Sequence, residues 1–191
     1  MPTAHAQTLV DALLPRRTAM LEAGLVVFFG LVIGLSSLVA IPLPFTPVPL
    51  TLQTMTVLLA GLLLGSRLGA LSVIAYIGQG LVGMPVFASG AWGLARLAGP
   101  TGGYLVGFVF AAALVGVLAE RGWDRRAATT VAAMVLGNAV IYGFGVLWLA
   151  SFVPPQAALL QGAVPFLAGD AMKIAAVAAA LPAGWSRLAA R

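Results

Sequence analysis

Six apolar segments organise this chain, separated by short stretches holding most of its prolines and arginines. They run roughly Met20–Ile41, Leu50–Ser66, Leu68–Val82, Gly103–Glu120, Ala127–Val153 and Pro165–Trp185. A spanning helix needs about 20 predominantly apolar residues, so these blocks predict an all-α membrane protein with six transmembrane helices. The third block is short, and the fifth is long enough to tilt. On this reading residues 1–191 form a single membrane domain, and 1–16 a short cytoplasmic tail.

The cations support that count. Arg16, Arg17, Arg67, Arg121, Arg125, Arg126, Arg187 and Arg191 fall on one face of a six-helix arrangement. Arg96 alone lies on the other, and Lys173 sits inside the last block. By the positive-inside rule both termini are cytoplasmic. Arg96 belongs to the loop Met84–Gly99, which is too apolar for a solvated connector and is expected to fold back as a cap or re-entrant turn. The other outer loop, Ile41–Pro49, has four prolines in nine residues, so it is stiff and continues neither neighbouring helix. A rigid connector and a lid over an outward-facing site fit it equally well.

Composition narrows the chemistry. The chain is 61% hydrophobic and 8% charged, more apolar than any soluble domain of its length requires. Its net charge of +5 belongs to the helix ends and signals topology, with no role for nucleic acid. There is no cysteine, and the single histidine, His5, lies in the tail, so thiolate chemistry and a histidine metal site are excluded. The pair Arg16-Arg17 resembles an export signal only superficially: the following block is long, lacks a small-residue cleavage pattern and leads into further blocks. Gly78-Gln-Gly-Leu-Val-Gly83 matches a dinucleotide-binding pattern in form only, because it closes an apolar helix. The only lysine is not in a phosphate-binding loop, so ATP-driven work requires another chain. Nothing pairs a hydroxyl nucleophile with a base, which argues against an enzyme, and no cofactor is called for.

The charge that demands explanation is inside the last block. Asp170 and Lys173 are three residues apart, on one face of a helix, in a stretch otherwise free of charge from Ala127 to Ser186. A charge at mid-bilayer costs about 2.5–3.5 kcal/mol even on insertion-based scales. Such a pair is expected to hold a polar ligand; the plainer alternative is an ion pair that only offsets its own burial. Gln53, Thr54, Tyr76, Gln79, Tyr104, Asn138 and Tyr142 are further polar residues within the blocks, each individually more typical of contacts between helices. Trp148, Trp185 and Trp92 suit an interfacial belt. Small residues four apart, among them Ala19/Ala23, Gly30/Gly34, Gly61/Gly65 and Gly65/Gly69, permit close helix approach.

Four stretches together resemble the BioY family. They are Phe45-Thr-Pro-Val-Pro-Leu-Thr-Leu-Gln-Thr54, Gly80-Leu-Val-Gly-Met-Pro-Val-Phe-Ala88, Gly99-Pro-Thr-Gly-Gly-Tyr-Leu-Val-Gly-Phe108 and Pro165-Phe-Leu-Ala-Gly-Asp-Ala-Met-Lys173. The resemblance covers about Arg17 to Leu181. It implies a biotin-specific substrate-binding component of an energy-coupling factor transporter in the plasma membrane, with its site near the extracytoplasmic side. It also implies partners: a transmembrane coupling protein and ABC-type ATPases. Carried over by motif, Asp170 and Lys173 hold the ureido head group and Arg96 assists at the mouth, with Gln53, Gln79, Asn138 and Tyr142 as weaker contacts. The family's small-residue docking motif on the first helix has two candidates, Ala19/Ala23 and Gly30/Gly34; Gly30 and Gly34 lie deeper in the span and are preferred. The competing expectations are a stand-alone, gradient-driven or facilitative carrier for biotin or another vitamin, and an assembly protein without a ligand.

Overall fold

A computed structural model of the chain describes residues 8–189. His5 and Arg191 lie outside the described residues. Within them are α1 (Leu9–Leu13), α2 (Ala19–Leu38), β1 (Ala40–Ile41), β2 (Leu50–Thr51), α3 (Gln53–Leu81), α4 (Leu94–Ala98), α5 (Gly102–Glu120), α6 (Ala127–Leu149), α7 (Pro155–Gly162) and α8 (Leu167–Ala189). Five stretches are long and apolar enough to cross a bilayer: α2, α3, α5, α6 and the run Pro155–Leu188. Large apolar side chains such as Met20, Phe28, Leu35, Ile74, Phe110 and Leu147 are exposed on the outside, the surface that lipid covers in a membrane.

The second and third apolar blocks meet in α3, which is broken at Gly65. There φ is 85° and ψ 179°, a conformation essentially reserved for glycine. The chain reverses at this point. A Cβ on Gly69 would come within 2.7 Å of the Gly61 Cα, and Gln53 Nε2 donates to the Tyr76 hydroxyl at 2.7 Å. In one straight helix those two side chains would be roughly 35 Å apart at 1.5 Å per residue. The two halves of α3 therefore lie side by side. From the end of α5, Glu120 Oε1 accepts from Ser66 N at 2.7 Å and from Ser66 Oγ at 2.8 Å, satisfying the exposed amide where the second half begins.

Around this hairpin the remaining helices pack through small residues. α5 packs most extensively on α3, α6 lies against α5, and α8 contacts mainly α6. α2 is peripheral: its partner among the long helices is α3, and the residues it buries are Gly30, Ile33, Gly34 and Ser37. A Cβ on Gly30 would meet Ser72 O and Tyr76 N at 3.2 Å, and one on Gly34 would meet Val86 at 2.9 Å. With no hydrophobic drive between helices in lipid, such close approach is what supplies the van der Waals contact.

Three local features go beyond the sequence expectations. Within the segment expected as a tail, Thr8 and Asp11 form a capping box that starts α1. α1 packs on α3, with Thr8 buried beside Gly65, and Asp11 pairs with Arg17. Secondly, the ends of the first two blocks are not helical: Ala40 pairs with Thr51 and Ile41 with Leu50 in an antiparallel ribbon, which draws the proline-rich loop into a narrow hairpin. Thirdly, Trp185 is tied into the structure. Its Nε1 donates to the buried Asp124 Oδ2 at 2.5 Å, and the Arg125 guanidinium stacks over its ring at 4.8 Å.

Candidate binding site

The Arg96 loop folds back over one end of α3. Ser37 Oγ donates to Val86 O at 2.6 Å, Gly93 N donates to Gly80 O at 2.9 Å, and Phe87 pairs with Ala91 in a short bridge. The Phe87 ring meets Tyr76 edge-on, with centroids 5.5 Å apart. These contacts place Phe87, Ala88 and Arg96 on one wall of a pocket. The proline-rich hairpin supplies Val48, Pro49, Leu50 and Thr51, while Tyr104, Phe108, Ile141 and Phe166 complete a largely apolar lining. Counted out to its open mouth, solvent included, the space is about 610 Å³.

The polar groups converge from distant parts of the chain. Lys173 Nζ donates to Asp170 Oδ1 at 2.8 Å, to Thr54 Oγ1 at 2.9 Å and to Thr51 O at 2.7 Å. Thr54 Oγ1 lies 3.0 Å from the same Asp170 oxygen, and Tyr142 donates its hydroxyl to Asp170 Oδ2. The buried carboxylate is thereby held by α3, α6 and α8 together, which is what a charge removed from water requires. Gln53, also buried, donates to Tyr76 on the opposite half of the hairpin. Arg96 lines the same pocket, and among the described residues its guanidinium forms neither a hydrogen bond nor an ion pair.

Of the expected contacts, Gln53, Arg96, Tyr142 and Lys173 reach the lining. Asp170 stands one layer behind them, with both oxygens engaged. Gln79 and Asn138 do not reach it. Gln79 lies against Gly30, and Asn138 is buried one turn before Tyr142; each leaves its amide oxygen without a partner among the described residues. The preferred docking pair, Gly30 and Gly34, faces α3 and the Arg96 loop, so that face is used for internal packing. Sequence reasoning missed Thr54 and the Thr51 carbonyl as part of the ion-pair cage, and Tyr76 and Tyr104 as lining. Thr54, Tyr76 and Tyr104 did stand out as polar residues within apolar blocks, but nothing in the sequence separated them from contacts between helices.

This fold and its motifs have clear relatives. The family model described as "BioY family" matches residues 8–190. The chain belongs to the BioY family.

Among family members, "Probable biotin transporter BioY" of Pyrococcus horikoshii is 41% identical over 155 residues, covering 81% of this chain and 90% of the relative. "Biotin transporter BioY" of Rhizobium etli is 38% identical over 162 residues, with 81% and 86% covered. A crystal structure of the S-component for biotin from an ECF-type ABC transporter superposes with a TM-score of 0.74 at 27% identity, covering 92% of this chain and 96% of that one. The shared architecture is therefore that of a transporter S-component, a multi-pass protein of the plasma membrane.

Proposed function

We propose that this chain captures biotin in the pocket beneath the Arg96 loop and delivers it inward as the membrane subunit of an ATP-driven uptake transporter. The observation that carries the reading is the placing of a caged Lys173–Asp170 ion pair and an Arg96 guanidinium without a partner among the described residues around one apolar cavity. Biotin has matching parts: a ureido ring with two N–H donors and a carbonyl, an apolar bicyclic body and a carboxylate on a flexible chain. Tyr142 and Lys173 meet the ring, with Asp170 fixing both from behind, and Arg96 meets the carboxylate. Because all three Lys173 protons are already bonded, a ligand carbonyl binds by replacing the Thr51 or Thr54 contact, so the cage holds the ammonium ready without leaving it unsatisfied.

In this reading the α3 hairpin counts as two crossings, giving six, with both termini in the cytoplasm and the pocket toward the outside. Energy comes from partner ATPases through a transmembrane coupling protein. Ala19 and Ala23 lie exposed on α2 and form its docking face, in place of the buried Gly30 and Gly34. Isothermal titration of the purified chain with biotin tests the core of the proposal. Saturable binding that is lost in folded Lys173→Ala and weakened in Arg96→Ala supports it; no binding by well-folded wild type overturns it.

A further inference from the structure

The helix that carries Arg96 is only five residues long, fully buries none of them and packs on the core through Leu97, so its own packing is slight. It is held at its two ends. On the N-terminal side Gly93 N donates to Gly80 O at 2.9 Å. On the C-terminal side the Gly99 carbonyl accepts from Gly102 N at 3.0 Å and from the indole Nε1 of Trp148 at 2.9 Å. Trp148 reaches this carbonyl from the last turn of α6, and it lies close over Gly102 and Gly103, where a Cβ on Gly102 would come within 3.3 Å of Nε1. It is the one side chain that hydrogen-bonds to either end of α4 among the described residues. The indole is itself 43% exposed, with a tilted Phe152 ring 6.5 Å away, so its packing is partial and the N–H bond is its one side-chain hydrogen bond among the described residues.

We propose that Trp148 is a positioning residue for charge selection: by clamping Gly99 to α6 it aims Arg96 into the pocket, so that a ligand carboxylate is preferred over its neutral amide. The inference rests on the biotin reading above, in which Arg96 meets the carboxylate. Arg96 gains a bidentate charge-assisted contact only if its planar fork is held in register with the anion. A one-turn helix free to swing at Gly99 would keep the charge but lose that geometry. Trp148 therefore acts on the acid end of the ligand and leaves the ring end to the Lys173 cage.

Titrate wild type, Arg96→Ala and Trp148→Phe with biotin and with its primary amide, and record the melting temperature of each in detergent. Phe keeps a ring over Gly103 and removes the N–H. A second variant with β-(3-benzothienyl)alanine at 148 replaces only the N–H by sulfur and covers the case in which Phe fails to fold. Wild type should prefer the acid, Arg96→Ala should lose roughly tenfold of that preference, and both Trp148 variants should lose most of the same preference while binding the amide as wild type does. An unchanged acid preference in the Trp148 variants, with Arg96→Ala impaired, overturns the Trp148 role and leaves the biotin reading standing. Equal weakening of acid and amide also overturns it, by showing general damage to the pocket. If Arg96→Ala keeps the wild-type preference, the assignment of Arg96 to the carboxylate fails and the Trp148 role fails with it.

Discussion

Tyr142 on α6 donates its hydroxyl to one oxygen of Asp170 on α8, while Lys173, one turn along α8, holds the other. The carboxylate is thus oriented by a residue that itself lines the pocket. Tyr142→Phe removes one bond to a buried charge without changing the ring. Hydrogen bonds to charged groups contribute about 1.5–3 kcal/mol in water-soluble proteins and somewhat less between membrane helices. Titration should show biotin affinity reduced by about tenfold, with the fold intact.

The ion pair also separates a binding role from a purely structural one. Breaking a buried pair on one side leaves an uncompensated charge and costs about 3–5 kcal/mol, whereas removing both charges often costs little. Asp170→Asn and Lys173→Met should each lower the melting temperature, and the double variant should recover most of that loss. Biotin binding should stay absent in the double variant. Recovery of binding along with stability would make the pair scaffolding only.

Gly65 is the hinge on which the α3 hairpin depends. An alanine there must adopt φ near 85°, and its Cβ would meet the Glu120 carboxylate at 2.7 Å, displacing the group that caps Ser66. Strain of this kind costs about 1–3 kcal/mol. Gly65→Ala should lower the melting temperature and the folded yield; unchanged stability would contradict the reversal of the chain at this residue.

Asp124 carries a pH dependence. Burial pushes its carboxyl above the ordinary range, only partly offset by the bond from Trp185 and the nearby Arg125 charge. The folded chain therefore keeps this proton to higher pH than the unfolded chain. Its contribution to stability is fully present below the unfolded value of about 3.9 and declines as pH rises from there toward the raised folded value. Melting temperatures of wild type and Asp124→Asn across that window should diverge, with the extra decline confined to wild type.

The two small-residue pairs on α2 should behave differently. Gly30→Leu places a side chain against the backbone of Ser72 and Tyr76 and should destabilise the isolated chain by about 1–3 kcal/mol. Ala23→Leu projects outward and should leave folding and biotin binding unchanged while reducing co-purification with the coupling protein. Normal co-purification would move the docking face elsewhere.

Much of this protein was determined by local composition. Unbroken apolar blocks impose membrane helices because backbone polar groups in lipid must be satisfied within the segment, and the isolated Asp170–Lys173 spacing singled out a candidate site because charge in a membrane segment is costly. The four motifs carried the family. Side-chain direction was decided only by the tertiary structure. Gln53 and Gln79 are equivalent as sequence signals, yet the hairpin at Gly65 turns one into the pocket and the other toward Gly30. Trp148 read as a belt residue until the fold brought it to the Gly99 carbonyl, 49 positions away. Thr54 joined the ion pair across 119 positions for the same reason. Composition sets where a segment must reside, because transfer energies are sums over residues; which face meets which partner depends on helix rotation and chain reversal, which those sums do not contain.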